Sequence, residues 1–439
     1  MSEWKETTLG NLIEIKHGWA FKGEHLNETN EPKNIVVAIG NFDYSGGFRF
    51  NATRTKEYLD SYPKDYELAP GDILMAMTCQ TAGGEILGIP GRIPDDGKMY
   101  LHNQRLGKVE IRDLEETDPS FVYWLCLWRN FNHHLVATAT GTKILHTAPE
   151  RIKSFVFECP PIDEQKQIGK TLDALDLKIE NLRRQNETLE AIAQTLFKHW
   201  FVDFEFPFDF AQGKPNADGK PYKSSGGEMV PSELGEIPAG WRVGTLGDEV
   251  ETLGGGTPST KEPDYWIDGN IPWYSPTDLT KSNTLFSLGS EKQITRLGLE
   301  KSSAKLFPAY SILLTSRATI GEITINTQSA CTNQGFITLV PNEKFSFYFL
   351  HGWLLTQINL IKQLASGSTF PELSKSTFRK FLFLAPDPSQ IEEYDKAIKP
   401  LFQKVENNIR QIQTLTETRD VLLPKLMSGK LRIQEELHE

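Results

Sequence analysis

The sequence predicts an α+β protein built as two globular mixed α/β domains separated by two long antiparallel coiled-coil helices, with an internal pseudo-two-fold repeat. Three observations predict this. Two long stretches, 163–199 and 389–427, carry apolar residues at alternating steps of three and four, the spacing of a coiled-coil seam. The pieces that precede the two stretches match one another in the same order, the mark of a tandem duplication. A chain of 439 residues also exceeds one ordinary domain.

The first stretch is one helix. It holds no proline, and Ile162 and Asp163 can supply the hydrophobic residue and the cap at its start. Its seam is Leu172, Leu175, Ile179, Leu182, Asn186, Leu189, Ala193 and Leu196. At 1.5 Å per residue it spans roughly 55 Å, too long to serve one compact domain, so it needs a partner to cover its stripe. The second stretch supplies that partner with Ile391, Tyr394, Ile398, Leu401, Val405, Asn408, Ile412, Leu415, Arg419, Leu422 and Leu426. Ser389 and Glu392 have the spacing of a capping box. Each seam holds one asparagine, Asn186 and Asn408, a residue that costs stability in a seam but can fix register and partner.

The repeat runs through both globular blocks. WKETTLGNL at 4–12 matches WRVGTLGDEV at 241–250, and LAPGDILM at 68–75 matches FPAYSILL at 307–314. HNQRLGKV at 102–109 matches TNQGFITLV at 332–340, and GTKILH at 141–146 matches GSTFPEL at 367–373. FVFECP at 155–160 and FLFLAP at 381–386 then lead into the long helices. Short apolar runs bounded by Gly and Pro read as strands at 35–40, 72–77, 108–111, 311–316, 323–325 and 335–340. One buried helix is expected in each block, over 120–131 and 345–355. Between the blocks, Phe204, Phe206, Phe208 and Phe210 alternate, and the connection is expected to lie extended along a surface. The organisation is then 1–160 first domain, 161–200 first helix, 201–233 linker, 234–388 second domain, 389–428 second helix and 429–439 tail.

Composition narrows the function. Aromatic content of 10% argues against disorder. The net charge of -11, with no strongly basic stretch, on its own disfavours a nucleic-acid binder, although a local basic face is compatible with it. Four scattered cysteines form no short metal motif and suggest a reducing compartment. No apolar run approaches the length of a membrane span, so a cytoplasmic protein without membrane contact is expected.

No catalytic or metal-binding residue is expected. The tripeptide GKT at 169–171 lacks the leading glycine of a phosphate loop and sits inside an amphipathic helix. CPPI at 159–162 is a proline-rich stop before that helix: a cysteine cannot orient an exocyclic amine, and Ile162 cannot stack on a base.

Two similar domains held apart by a rigid helix pair suit a target with two grips at fixed spacing. A DNA duplex, with roughly 34 Å per turn, is such a target. Loops for that task offer amides, hydroxyls, basic groups and aromatics. The second block has GGGTPSTK at 254–261, WYSPTD at 273–278 and TSRATIG at 315–321; the first has HGWAFKG at 17–23, AIGNFDY at 38–44 and TCQTAGG at 78–84. Glycines permit close backbone approach, Ser, Thr and Lys meet phosphates, Arg can read guanine, and Gln or Asn adenine. The candidate contacts are Lys16, Lys22, Asn41, Gln80, Lys143, Thr257, Ser259, Lys261, Tyr274, Ser275, Arg317 and Thr319. The alternative is a scaffold that joins two protein partners without reading DNA.

The chain resembles the specificity subunits of Type I restriction–modification enzymes. The likeness rests on TLGNL at 8–12, CPPIDEQKQI at 159–168, LFKHWFVDFEFP at 196–207, GKPYKSSGG at 219–227, LGEIPAGW at 234–241, GTPS at 256–259 and LLPKLMSGKL at 422–431. The resemblance implies two target recognition domains, each reading half of a bipartite site in double-stranded DNA. It implies that the long helices set the gap between the halves and dock two methyltransferase subunits, and that restriction subunits join in a full system. S-adenosylmethionine would bind the methyltransferase subunits and ATP and Mg the restriction subunits, leaving this chain without cofactor or catalysis. The first block has His17-Gly18-Trp19-Ala20 where the second has Gly255-Gly256-Thr257-Pro258, so a role for Thr257 does not transfer.

Overall fold

A computed structural model describes residues 4–29, 32–44, 46–48, 55–365 and 372–433. The chain forms two compact units, Met1–Lys178 with Thr414–Glu439, and Ile179–Gln413, so each long helix is divided between them. Most of the 367–373 half of one repeat match, and the end of the tail from 434, lie outside the described residues.

In the first unit, Lys5–Thr8 pairs antiparallel with Val156–Cys159, the strand that leads into the first long helix. A four-stranded antiparallel sheet follows in the order Ile13–His17, Leu106–Ile111, Ile73–Ala76, Pro90–Arg92. A second sheet contains Lys56–Tyr58, Asn34–Val36 and Met99–Leu101, with the last two parallel. The second unit repeats this plan. Arg242–Thr245 pairs with Leu382–Ala385, and a sheet runs Glu251–Gly254, Phe336–Val340, Ile312–Thr315, Ile323–Asn326, Phe286–Ser287. A smaller sheet has Ile271–Tyr274 between Lys292–Ile294 and Cys331–Thr332, and its Ile271–Tyr274 and Cys331–Thr332 pair is again parallel. Matching strands in matching order place the duplication in the backbone as well as in the sequence.

Both long helices form, at Ile162–Phe201 and Pro388–Met427. In the first unit Asp176 pairs with Arg419 at 2.9 Å and Glu164 with Arg432 at 2.5 Å. In the second unit Asn186 accepts a 2.8 Å hydrogen bond from Asn408, and the Trp200 ring lies 5.6 Å from Tyr394. Within each unit one number rises as the other falls, so the helices run antiparallel. Leu172, Ile179, Leu182, Asn186, Ile398, Val405 and Asn408 are buried, while Leu175, Leu189, Leu196, Leu401, Ile412, Leu415 and Leu422 are half-buried. Ile168, Phe197, Phe402 and Ile409 are buried as well. The apolar stripe is wider than a two-position seam because each helix also covers a globular core. Gly169 belongs to that contact: a Cβ there would meet the Ser120 Cβ at 2.8 Å.

Four details differ from the sequence expectation. The second helix is capped by Asp387, not Ser389. The Ser389 N–H donates to the Asp387 carboxylate at 2.9 Å, Gln390 accepts from the Asp387 N–H at 3.1 Å, and Pro388 takes the first helical position. Ile162 is already helical and Asp163 lies in the first turn. The segment 120–131 is broken at Trp128 into Pro119–Leu127 and Arg129–Thr138 by an extended backbone (φ -65°, ψ 127°) that neither Gly nor Pro announces. The alternating phenylalanines are not merely extended: Pro207–Asp209 is the centre of a three-stranded sheet. Phe206 is fully buried there, stacked on Tyr222 at 4.6 Å and on Trp241 at 5.4 Å.

Asn408→Ala leaves the buried Asn186 amide unpaired and should destabilise by about 1–3 kcal/mol, whereas Asn186→Leu with Asn408→Leu should recover most of that loss. Urea midpoints for the two singles and the double decide it. Glu190 on the first helix has its pKa raised to about 7, chiefly by burial and then by the charge of Glu187. The folded state therefore holds this proton more tightly than the unfolded chain, and stability falls as pH rises from the ordinary carboxylate range to about 7. Glu190→Gln should raise the melting temperature at pH 8, leave it unchanged at pH 4, and flatten the dependence between.

Candidate nucleic-acid interface

In both units an Asn-Gln turn is held by the same set of contacts. In the first unit the Arg105 N–H donates to Asn103 Oδ1 at 3.0 Å; in the second the Gly335 N–H donates to Asn333 Oδ1 at 2.8 Å. A glycine loop closes on one side: the Trp19 N–H donates to His102 O at 2.9 Å, and the Gly256 N–H to Thr332 O at 2.8 Å. The next sheet strand holds the other side, through the Met77 N–H to Arg105 O at 3.1 Å and the Ser316 N–H to Gly335 O at 2.8 Å. This common clamp pairs Gly18 with Gly255, so the loop register differs by one residue from the sequence comparison and Ala20 stands where Thr257 does. Under the first turn, buried His102 meets Leu106 O at 2.9 Å through Nε2. Burial lowers its pKa to about 4, which keeps the imidazole neutral and its Nε2–H a donor to that carbonyl.

The clamp gathers some of the sequence candidates. Exposed Thr257 donates to Gln334 Oε1 at 2.6 Å, and Ser259 and Lys261 continue the same exposed loop. Arg317 and Thr319 are exposed on the loop after Ser316, where Arg317 is paired with Glu372 at 2.7 Å. In the first unit Lys16 and Lys22 are exposed on either side of the glycine loop. Leu145–His146 pairs antiparallel with Thr78–Cys79, which sets the turn carrying Lys143 beside Gln80, and both are exposed.

Three candidates are removed from the surface role. Asn41 is buried and its Oδ1 accepts the Ala38 N–H at 2.9 Å, closing a turn of its own backbone. Tyr274 is fully buried, and its carbonyl accepts the Asn333 N–H at 2.9 Å, so it supports the turn from beneath. Ser275 is half-buried and caps the helix Pro276–Ser282, donating through N and Oγ to Asp278 at 2.8 and 2.6 Å. The residues that sequence reasoning passed over are Gln104, Arg105 and Gln334, all exposed at the turn. The repeated Asn-Gln pair was their signal.

The glycines explain the tight loop approach. A Cβ on Gly255 would lie 1.9 Å from Asn333 O, and one on Gly18 would lie 2.3 Å from the same atom of Asn103; a Cβ on Gly254 meets nothing within 4 Å. Gly255→Ala should therefore cost about 1–3 kcal/mol and loosen the turn, read as faster amide hydrogen exchange across 332–336, while Gly254→Ala should leave that exchange unchanged.

Comparison with known proteins agrees with this duplicated plan. The family described as Type I restriction modification DNA specificity domain matches residues 1–191 and 238–417. The MjaIX specificity subunit of Methanocaldococcus jannaschii is 31% identical over 324 residues, covering 72% of this chain and 69% of that one. The HindI specificity subunit of Haemophilus influenzae is 26% identical over 98% of this chain and 100% of its own. The solved S subunit from M. genitalium superposes with a TM-score of 0.57 at 17% identity, over 97% of this chain and 96% of that one, a likeness of fold. With its two matched regions, its repeated sheets and its paired long helices, the chain belongs to the Type I restriction–modification DNA specificity family.

Proposed function

We propose that this chain is the DNA-recognition subunit of a Type I restriction–modification assembly. Each unit reads one half of a bipartite site in double-stranded DNA. The chain positions two methyltransferase subunits for adenine methylation, and restriction subunits where the system is complete. It carries no catalysis and binds no cofactor; S-adenosylmethionine belongs to the methyltransferase subunits, and ATP and Mg to the restriction subunits. The substrate, cellular DNA, makes the cytoplasm its place of action. The observation that carries this reading is the pair of like-built polar turns, one in each unit, held by the same clamp but flanked by different loops.

Electrostatics supports a division of labour. Lys16, Lys22, Lys143 and Lys261 are exposed and make no ion pair with a described residue, so they remain available to phosphates. Lys281 is paired with Glu291 at 2.5 Å and Arg317 with Glu372. With a net charge of -11, the partner subunits would supply much of the phosphate contact. The long helices keep apolar side chains for those partners: Leu177, Ile192 and Val421 are exposed. Ile192 lies in an open groove with Thr188, Ala191, Thr195, Leu196 and His199.

Methylome sequencing of a host that expresses this chain with its methyltransferase partner should reveal one split, adenine-modified motif. Replacing residues 1–160 by the equivalent block of another family member should change one half of that motif and leave the other. A motif that changes in both halves, or in neither, refutes the assignment of one half to each unit.

A further inference from the structure

We infer that Gln104 and Gln334 are specificity-determining residues, each reading an A·T pair through the major groove in its own half of the target. The inference rests on the DNA-recognition reading above and adds which side chain of each unit meets a base. The asparagine side chains and the backbone groups of the two turns have structural tasks, whereas the exposed Arg105 guanidinium occurs only in the first unit, since Gly335 stands at its place in the second. Asn103 and Asn333 close the turn through Oδ1, Gly18 and Gly255 let the neighbouring loop touch it, and the carbonyls of Arg105 and Gly335 bind the adjoining strand. The glutamine side chain between them has none in the first unit: the Gln104 backbone N–H donates to Trp19 O at 3.0 Å, but its side-chain amide is exposed and makes no hydrogen bond to a described residue. A side chain placed at the same point of two different sequences, on a turn fixed from three sides, is presented outward rather than used inward.

The amide chemistry selects the ligand. A glutamine can donate Nε2–H to adenine N7 and accept the adenine N6–H at Oε1, a bidentate pair that no other base edge offers in the same order. In the second unit Thr257 donates to Gln334 Oε1 at 2.6 Å. That bond leaves Oε1 one further acceptor site and both Nε2 hydrogens free, so the amide is oriented and still complete for adenine. Ala20 replaces Thr257 in the first unit, so Gln104 lacks this brace. Gln334 is therefore a pre-oriented reader, while Gln104 must fix its rotamer on binding.

The test uses the whole chain assembled with its methyltransferase partner, with the methylated motif as readout. Gln334→Ala should relax one position of one half-site, with discrimination against other base pairs falling roughly tenfold or more. Gln104→Ala should do the same in the other half. Gln334→Glu, which can only accept, should move the preference at that position towards cytosine, and Thr257→Val should partly relax the position that Gln334→Ala relaxes. Motifs unchanged in Gln334→Ala and Gln334→Glu overturn the inference. So does loss of a whole half-site, since that marks the turn as framework. A wild-type assembly that modifies no split motif defeats the recognition reading itself, an outcome distinct from unchanged variants of an active one.

Discussion

Neither unit closes its core without side chains from both long helices. In the first unit, Ile168 and Leu172 of one helix and Leu426 and Met427 of the other join the apolar cluster of the sheets. In the second, Phe197 and Trp200 join Tyr394 and Ile398 in the same way. The first unit adds a polar knot. Glu164 accepts from Trp4 Nε1 at 3.0 Å and pairs with Arg432, whose guanidinium lies 5.1 Å from the Trp4 ring. The start of the chain, the start of one helix and the residues past the other are thereby tied together. Such contacts join residues hundreds of positions apart, so folding must close long loops before they can form.

This constraint also explains the composition of the seams. A helix that covered only its partner would need apolar residues at two positions in seven. Here Phe402 and Ile409 sit beside Val405 and Asn408, giving one helix two surfaces to satisfy. The buried Asn186–Asn408 bond lies within such a wide stripe, and a register slip would leave both amides in an apolar surround without a partner. Arg419 fills a seam position in the same spirit: its stem is buried while its guanidinium reaches Asp176 and Asp420, each at 2.9 Å.

The periodic and repeated parts of this fold were legible in the sequence, because burial writes itself as spacing. The three-four rhythm located both helices, and ordered matches located the equivalent strands. Features that depend on a single side chain were not. Trp128 breaks a helix with no Gly or Pro, and Phe206 is buried because Tyr222 and Trp241, distant in sequence, stack on it. Of the candidate contacts, the sequence could not separate exposed side chains from those that close turns. Loop composition marked polar, glycine-rich loops, but Asn, Ser and Tyr serve turn closure as readily as recognition, and Asn41, Ser275 and Tyr274 serve closure here. Conversely, the Asn-Gln pair was visible as a repeat, while the turn-closing task of its asparagine appears only when the neighbouring N–H groups are in place.

The arrangement separates what must stay constant from what can vary. The clamp consists of backbone groups, a glycine without a side chain and one asparagine, none of which depends on the identity of the exposed tip. Around it the two units already differ: Trp19, Ala20 and Arg105 in one correspond to Gly256, Thr257 and Gly335 in the other, with Arg317 on the adjoining loop of the second. Hydrogen bonds made by peptide groups tolerate such exchange, because replacing a tip side chain leaves every clamp donor and acceptor paired. A change to Gly18 or Gly255 does not have this freedom, since any Cβ meets a neighbouring carbonyl. A tip side chain can therefore be exchanged while the turn that presents it, and the helices that complete the core beneath it, stay as they are.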